Sequence, residues 1–451
     1  MKNKVIFLIL LFLLAGGPTR GEWPVGSIRT LTLKDAIDIA LTNNDSIRIQ
    51  KEEVEYSRAN ILYAKSKFLP TLNAGYGYTY TEAVLESNAL PNHRKDTRIF
   101  SGYKSSNEVN LSLDESIYNG GADIASLEQA KLQLKSQEET LRATKLEVEF
   151  EAKRLFYGLL LAYETKRIAQ DLISQAEAHY EEVKAMYGQG TASKFDVLQS
   201  KVQVSRLMPQ LVDADNATQL IMAEFKKLIA IKIKERVKIR GKLAYHPIKI
   251  KEDDFLQEAY RNKPEMKLKL LGIDINKWAI EFAKSGWRPG ISANVGYGYV
   301  SNDMGDMFNP RHDNWNVGVK ASINIFDGFA TKAKVDQAKA QYNQAELQKE
   351  DVIDRIAVDI RTACLNMKKA RTIIFSQRES VSEAKEALRL STVRFDNGVG
   401  INLDVLDAQV SLAQVEQNLA QGIYDHIMAN AQLDRTMGRE FFMEEKYGNK
   451  P

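Results

Sequence analysis

The chain has 451 residues, of which 44% are hydrophobic and 27% charged, so its composition fits neither a disordered protein nor a bundle of membrane helices. Removal of a predicted N-terminal signal, which holds three basic and no acidic residues, leaves 59 basic residues against 59 acidic ones. A neutral mature chain gives no support to a nucleic-acid-binding surface. The single cysteine, Cys364, lies in a helical pattern and cannot form an intramolecular disulfide.

Residues 1–21 are predicted to be a secretory signal peptide. Lys2 and Lys4 precede about ten apolar residues, Val5 to Leu14, and small residues with Pro18 follow. This run is too short to span a bilayer comfortably, which favours a cleaved signal over the alternative of a retained membrane anchor. No cysteine follows the run, so a lipid-anchored N-terminus is not expected.

The rest of the chain is predicted to contain two copies of one unit. The segment "SIYNGGADIASLEQAK" at 116–131 aligns with "NIFDGFATKAKVDQAK" at 324–339. Upstream, "AGYGY" at 74–78 aligns with "VGYGY" at 295–299, and one copy has the longer loop between these segments. The predicted domains are a first repeat at 22–230, a connecting segment at 231–251, a second repeat at 252–438 and a tail at 439–451.

Each repeat is predicted to hold two strands, a long helix and a returning helix, in that order. The strands alternate apolar and polar residues with a period of two, as Leu72, Ala74 and Tyr76 show. In the first repeat the elements are strands at about 70–80 and 106–118, a long helix at about 122–187 and a returning helix at 191–230. In the second they are strands at about 289–300 and 313–326, a long helix at about 330–396 and a returning helix at 401–437.

The alternating strands suit the wall of an outer-membrane β-barrel. About ten residues of 3.3 Å each, tilted near 45°, cover roughly the height of such a barrel's apolar band. Four strands cannot close a barrel, and an open sheet in lipid leaves unpaired backbone groups that cost several kcal/mol each. Several chains are therefore expected to share one barrel; three chains would give twelve strands, above the smallest barrels of about eight. An ordinary soluble sheet packed against helices is the alternative.

The two long helices contain no proline and repeat apolar residues at every seventh position. At 1.5 Å per residue, roughly 66 residues extend about 100 Å. In the second helix the row is Ile353, Ile360, Met367, Ile374, Val381, Leu388 and Phe395. Such rows predict side-by-side, coiled-coil-like packing. The predicted fold is mainly α with membrane β, in two tandem repeats that each hold long coiled-coil-like helices and a β-hairpin.

Short glycine-containing turns end both long helices, in "YGQG" at 187–190 and "DNGVG" at 396–400. Each strand pair is expected to cross the membrane and each helix pair to project from it. The turns are therefore expected at the tip of the tunnel, where a pore can be narrowed and controlled. The turn glycines are Gly188, Gly190 and Gly398.

The doubled unit, the segments "FLPTLNAGYGY", "SIYNGG" and "NIFDG", and the motif F-x-x-G-x-x-x-x-x-DVLDAQ resemble the TolC-type outer membrane efflux proteins over about 31–438. The resemblance implies a homotrimer in outer-membrane lipid whose shared 12-stranded β-barrel continues into an α-helical tunnel that projects into the periplasm. The partners that it implies are a periplasmic adaptor and an inner-membrane RND or ABC transporter. It implies an exit duct for drugs, toxic compounds or metal ions. A duct for type I protein secretion and a coiled-coil periplasmic protein without a pore are the alternatives.

In that family, two acids after the second turn line the periplasmic entrance, and the matching residues are Asp404 and Asp407. They are three residues apart and share one helical face, so three chains would form a ring of six carboxylates that favours cations. Asp196, after the first turn, is a further gate candidate. Acids in a first helical turn also offset the helix dipole, and Ser193 with Asp196 is predicted to form a capping box, so a structural role is the alternative.

The family often closes this entrance with an arginine in the second turn and a tyrosine just before it. Gly400 and Phe395 stand at these positions, and both are predicted to line the gate. Neither the salt bridge of the arginine nor the hydrogen bond of the tyrosine can form. We therefore expect an entrance that is held more loosely or differently, with a conductance above that of arginine-bearing relatives. Lys194 is a candidate substitute for the cation.

No catalytic, cofactor-binding or metal-binding constellation is predicted, so the chain is not expected to be an enzyme. The five histidines are scattered, and His93 and His312 fall in predicted external loops. The "GYGY" segments lack the strand-turn-helix context of a phosphate site. The connecting segment 231–251 is basic; the resemblance suggests an equatorial collar around the tunnel, and a simple linker is the alternative.

Overall fold

A computed structural model describes residues 29–80, 105–301 and 303–440. The predicted signal peptide at 1–21, His93 and residues 441–451 of the predicted tail lie outside these ranges. The described residues form two compact units: 29–48, 144–256 and 358–440 make up the first, and 49–80, 105–143, 257–301 and 303–357 the second.

Long helices dominate the described chain, and four strands form its main sheet. Helix α1 begins with a capping box in which Thr32 and Asp35 satisfy each other's backbone N–H groups. The elements are β1 (Arg29–Leu31), α1 (Leu33–Asn43), α2 (Asp45–Ser66), β2 (Thr71–Tyr80), β3 (Ser105–Asn119), α3 (Ala122–Gly188), α4 (Lys194–Leu228), β4 (Val237–Ile239), α5 (Glu252–Asn262), α6 (Pro264–Lys284), β5 (Gly290–Ser301), β6 (Asp313–Ser322), α7 (Ala330–Asp396) and α8 (Asn402–Met437).

The main sheet, in the second unit, has the order β2-β3-β5-β6, and all neighbouring strands are antiparallel. The register brings side chains of the same character together across all four strands. One cross-strand row is apolar and contains Leu72, Leu113, Val295 and Val317. The adjacent row is polar or small and contains Asn73, Ser112, Gly296 and Asn316. The alternation in each strand therefore gives the sheet one apolar face and one polar face.

The apolar face of the sheet is largely uncovered by the chain itself. Trp315 on β6 is 74% exposed, Val319 on β6 is 72% exposed and Leu72 on β2 is 67% exposed. Among the described residues, β2 and β6 each pair with a strand on one side only. Both edges therefore have backbone N–H and C=O groups that are available to another strand.

The strand predicted at 313–326 is shorter in the structure, where β6 ends at Ser322. Its neighbour β5 begins at Gly290, which lies opposite Ser322, so residues after 322 have no partner in this sheet. Two residues in the left-handed region, Gly328 at φ 65° and Phe329 at φ 69°, then lead the chain into α7. The start of β5 therefore determines where β6 ends. The sequence pattern of β6 alone does not reveal this limit.

The seven-residue rows of the long helices are packing surfaces, as their spacing predicts. In α7, the row residues Ile360, Met367 and Ile374 are each at most 1% exposed. In α3, Val148 and Leu155 are also buried. Burial of such a row along helices this long stabilises a side-by-side arrangement, because each buried aliphatic side chain contributes about 1.5–3 kcal/mol.

The basic connecting segment contains the short strand β4, which sequence patterns did not reveal. Strand β4 pairs with β1 in parallel, with Val237 opposite Arg29 and Ile239 opposite Leu31. The N–H of Arg240 extends this contact by donating to the carbonyl of Leu31 at 2.8 Å. Part of the segment is therefore ordered against the start of the first repeat.

Candidate functional site

The turn between α3 and α4 is closed by backbone and side-chain hydrogen bonds. Gly190 adopts φ 81°, which glycine tolerates at little cost. The N–H of Thr191 donates to the carbonyl of Met186 at 2.9 Å, which satisfies a group at the end of α3. Ser193 and Asp196 form the predicted capping box: the Asp196 N–H donates to Ser193 Oγ at 3.1 Å, and Ser193 N–H donates to Asp196 Oδ2 at 3.1 Å.

The turn between α7 and α8 has no side-chain N-cap. Gly398 adopts φ 72°, and the N–H groups of Val399 and Gly400 both donate to the carbonyl of Arg394 at 2.9 Å. Asn397 Nδ2 donates to the carbonyl of Val393 at 2.7 Å, and Ile401 occupies the N-cap position without a side-chain hydrogen bond. Backbone hydrogen bonds and one side-chain amide therefore close this turn, and α8 begins directly at Asn402.

Gly400 permits a close approach of this turn to the last residues of α7. A Cβ atom at position 400 would lie 2.9 Å from the Phe395 nitrogen and 3.0 Å from the Arg394 carbonyl carbon. Because these neighbours are backbone atoms, they cannot move aside as a flexible side chain would. Any residue larger than glycine at position 400 would therefore strain this turn. Gly400 stands at the position where the family resemblance implies an arginine.

We expect Gly400→Ala to destabilise the second turn by about 1–3 kcal/mol, the usual cost of inserting a methyl group into a packed site. The matched control is Gly188→Ala at the end of α3, where an added Cβ meets nothing within 4 Å. Alanine favours helix over glycine, so the control should be neutral or slightly stabilising. Thermal unfolding in detergent checks this, and equal melting temperatures for the two variants would contradict it.

Side chains from the first turn and from helices α3, α4, α7 and α8 pack into one apolar cluster. Val183, Phe395 and Val405 are its buried members, and Met186, Ala192, Val197 and Leu388 pack against them. Phe395 is only 9% exposed, and its ring meets His179 edge-on with centroids 5.1 Å apart. The predicted pore-lining role of Phe395 does not fit this position, because the ring faces the helix core. The residue ends the buried seven-residue row of α7.

A buried polar group, centred on Asn402, joins three of the four helices beside this cluster. His179 Nε2 on α3 lies 2.7 Å from Asn402 Oδ1 at the start of α8, and Ser200 Oγ on α4 donates to the same oxygen at 3.1 Å. Asn402 Nδ2 donates to Gln199 Oε1 at 3.0 Å and to the Asp196 carbonyl at 3.3 Å. We call the side chains of His179, Gln199, Ser200 and Asn402 the Asn402 node.

The contacts of the node determine the orientation of the Asn402 amide. A backbone carbonyl only accepts, so the Asp196 carbonyl requires the Nδ2 end of Asn402 to face it. Oδ1 then faces His179, whose Nε2 must carry a hydrogen and donate. Asn402 is 2% exposed, Ser200 0% and His179 4%, so water does not compete for these hydrogen bonds. The node therefore fixes the first turn of α8 against α3 and α4.

The acids predicted to line the entrance occupy different environments. Asp404 and Asp407 are exposed on α8, on the face opposite the buried Val405 and Leu406. Asp196 is half-buried, and its Oδ2 accepts from both the backbone and the hydroxyl of Ser193. Asp404 and Asp407 are thus available to ions in the surroundings, whereas Asp196 has a capping role. Lys194 is exposed beside the first turn.

The node was not predicted, although one sequence signal points to it. On α3, His179 shares a helical face with the buried residues Ala176 and Val183, at spacings of three and four. A polar side chain on such an apolar stripe requires a buried partner. The identity of that partner depends on the packing of α4 and α8, which are distant in sequence.

No group of three or more metal-ligating side chains occurs within 29–80, 105–301 and 303–440. Over the same ranges, no helix combines the length and apolar character that crossing a membrane requires. His312, predicted in an external loop, is paired with Asp306, whose Oδ2 lies 3.2 Å from the His312 Nε2.

The family model for outer membrane efflux proteins matches residues 36–230 and 255–439, one match for each repeat. The chain belongs to the outer membrane efflux protein family. Proteins of this family are passive channels of the outer membrane and not enzymes. The family assignment therefore agrees with the fold, the localisation and the absence of catalytic chemistry that the sequence predicts.

Individual members of the family are similar to this chain over most of their own length. The solvent efflux pump outer membrane protein SrpC of Pseudomonas putida is 24% identical, covering 97% of this chain and 98% of its own. The alkaline protease secretion protein AprF of Pseudomonas aeruginosa is 19% identical, covering 89% and 83%. The crystal structure of the CmeC outer membrane channel of Campylobacter jejuni aligns with a TM-score of 0.78 at 18% identity, covering 93% and 89%. This structural likeness establishes a shared fold.

Proposed function

We propose that three copies of this chain share one twelve-stranded barrel and form the passive exit duct of a tripartite efflux system. The observation that carries this proposal is the four-stranded sheet, which has an apolar face, a polar face and two edges that are open among the described residues. Lipid forbids such open edges, because each unpaired backbone group costs several kcal/mol. Pairing of β2 with β6 of a neighbouring copy is antiparallel and closes the ring.

The apolar face then meets lipid and the polar face lines the lumen. Leu111 and Asn110 on β3 are neighbours in sequence and lie on opposite faces of the sheet. Leu111→Arg places a charge toward lipid, which costs about 2–4 kcal/mol near the bilayer midplane, whereas Asn110→Arg points into water. We expect the first variant to assemble poorly in outer membranes and the matched second variant to assemble normally. Heat-resistant trimers in membrane extracts measure this, and equal assembly would contradict the lipid-facing assignment.

The entrance of the duct is proposed to lie at the turns of α3–α4 and α7–α8. Asp404 and Asp407 are exposed near the second turn, so three copies contribute six carboxylates to a ring that attracts cations. Asp196 contributes through its cap on α4, and Gly190 and Gly398 shape the turns. A looser closure, expected because Gly400 and Phe395 stand where the family often has an arginine and a tyrosine, stays a prediction. The hydrogen bonds of the Asn402 node hold the helices near the entrance together in a different way.

Energy for transport comes from partner proteins, since the sequence contains no nucleotide-binding motif. We propose a periplasmic adaptor protein and an inner-membrane transporter of the RND or ABC class as partners. Small molecules, such as drugs, toxic compounds or metal ions, are the proposed cargo. The solvent efflux named in SrpC, which is similar over nearly the full length of both chains, supports this class.

Export of proteins through a type I secretion system is the second candidate. Its support is the similarity to AprF and to the proteases secretion protein PrtF of Dickeya chrysanthemi, which is 19% identical over 97% of this chain. Mild cross-linking in cells followed by purification through this chain distinguishes the two. Recovery of an RND transporter supports small-molecule efflux, and recovery of an ABC exporter with a secreted polypeptide supports the second candidate. Purified protein that fails to conduct ions in planar bilayers would contradict both.

A further inference from the structure

The connecting segment carries a series of basic residues that have no role in the proposed exit duct. Basic residues occupy every second position from 232 to 242, and all six are exposed. In the part of the chain that the structure describes, none of the six forms an ion pair with a carboxylate. The residues, which we call the basic strap, are Lys232, Lys234, Arg236, Lys238, Arg240 and Lys242.

The side of the basic strap opposite its charged side chains packs against the protein. This packing fixes the direction in which the basic side chains point. Val237 and Ile239 lie half-buried between the basic residues, and β4 pairs with β1. A Cβ at Gly241 would lie 2.9 Å from Cε1 of the buried Phe156, so the backbone rests directly on that ring of α3. Strand β4 is extended, so Arg236, Lys238 and Arg240 lie on one side of it, about 7 Å apart. Lys232 and Lys234 precede it in a turn, which the Glu235 N–H closes by donating to the Lys232 carbonyl at 3.0 Å.

The residues that follow the strap are anchored as well. The ring of Tyr245 packs edge-on against His426, with centroids 4.7 Å apart, and against Phe375, with centroids 6.0 Å apart. Burial lowers the pKa of His426, and the nearby His246 lowers it further, so a neutral ring meets Tyr245. These contacts hold the segment on α7 and α8, and the basic side chains remain outside.

We propose that the basic strap binds the carboxylate-bearing peptidoglycan of the periplasm. Six neighbouring exposed cations, without a carboxylate partner among the described residues, are complementary to a polymer whose peptides carry repeated anionic groups, and the chain is an outer-membrane protein facing that compartment. In a trimer, three straps act together, so weak single contacts add through multivalency. The contact fixes the duct to the cell wall and leaves its lumen unchanged.

Cosedimentation of the detergent-solubilised protein with insoluble peptidoglycan sacculi tests the proposal. The strap variant is Lys234→Gln, Arg236→Gln, Lys238→Gln and Arg240→Gln combined. The control removes the same charge from four exposed lysines on other elements: Lys201, Lys334, Lys339 and Lys368, each replaced by Gln. We expect at least a tenfold loss of apparent affinity for the strap variant and less than a twofold loss for the control, with unchanged ion conductance for both.

A second arm uses the unaltered chain, so that the test does not depend on the folding of a variant. Sacculi whose carboxylates are converted to amides should lose binding, and raised salt should weaken binding to untreated sacculi. Equal binding to untreated and amidated sacculi would overturn the proposal, as would equal binding of the strap variant and the control. Binding to vesicles of anionic phospholipid without binding to sacculi would assign the strap to lipid and also overturn it.

Discussion

Replacement of Asn402 by leucine is expected to raise hydrogen-exchange rates in the two turns by about 30-fold or more. Leucine removes both ends of the amide and leaves the His179 Nε2–H and the Ser200 hydroxyl buried without their partner. Each buried unsatisfied group costs about 1–3 kcal/mol, and 1.4 kcal/mol corresponds to a factor of ten. The first turn of α8 should therefore open far more often. Exchange measured by mass spectrometry on peptides covering 179–200 and 395–409 reports this directly.

Two variants control for this result. Asn418→Leu makes the same chemical change at an exposed position of α8, where the side chain accepts only from Gln414, and should leave exchange unchanged. His179→Gln keeps a donor that reaches Asn402, so its effect should be several-fold smaller than that of Asn402→Leu. Because the first turn of α8 carries Asp404, opening of the node should also raise single-channel conductance. Wild-type exchange in Asn402→Leu would show that the node does not hold the turns.

Loss of the carboxylates of Asp404 and Asp407 is expected to raise the concentration of a trivalent cation that half-blocks the channel by at least tenfold. Two unit charges about 4 Å apart interact by roughly 1 kcal/mol in water, and a trivalent ion in a ring of six carboxylates feels several such interactions. The variant Asp404→Ala with Asp407→Ala removes all six in a trimer. Both residues are exposed and outside the core cluster, so the fold should be unaffected.

Asp196→Ala is the comparison for this experiment. Its carboxylate already accepts hydrogen bonds from Ser193, so its removal should change the block less than threefold. The same change removes only the Asp196 half of the capping box, because Ser193 Oγ still accepts from the backbone N–H at position 196. The lost hydrogen bonds should cost about 0.5–1.5 kcal/mol of stability. Planar-bilayer recordings with a trivalent cation on the turn side measure the block. Unchanged block in the double variant would refute a ring formed by these two residues.

Much of the fold was predictable because the strands and the long helices each produce a periodic pattern of apolar residues in the sequence. The strands alternate between environments of opposite polarity, and the long helices bury residues at intervals of seven, as Ile360, Met367 and Ile374 show. The end of β6 was not predictable from its own residues, since Ile323 and Ile325 continue its apolar alternation but lie past the start of β5. The strands β1 and β4, of three residues each, are too short to show a period.

The site was predicted only in part, for a physical reason. Exposed acids after a turn can be read from the chain, and Asp404 and Asp407 are exposed as expected. Phe395 was assigned to the pore by its place in a motif, although its place in the seven-residue row already indicated burial. The Asn402 node requires residues of three helices, α3, α4 and α8, to meet, and no local sequence pattern encodes that contact.

We infer that one chain supplies four strands and needs two further copies to close a barrel. Native mass spectrometry of the protein released from outer membranes in detergent can decide this. We expect a complex of three chains whose dissociation removes ion conductance. A monodisperse single chain that stays soluble without detergent would contradict it, because the apolar face and both strand edges of the sheet would then require another explanation.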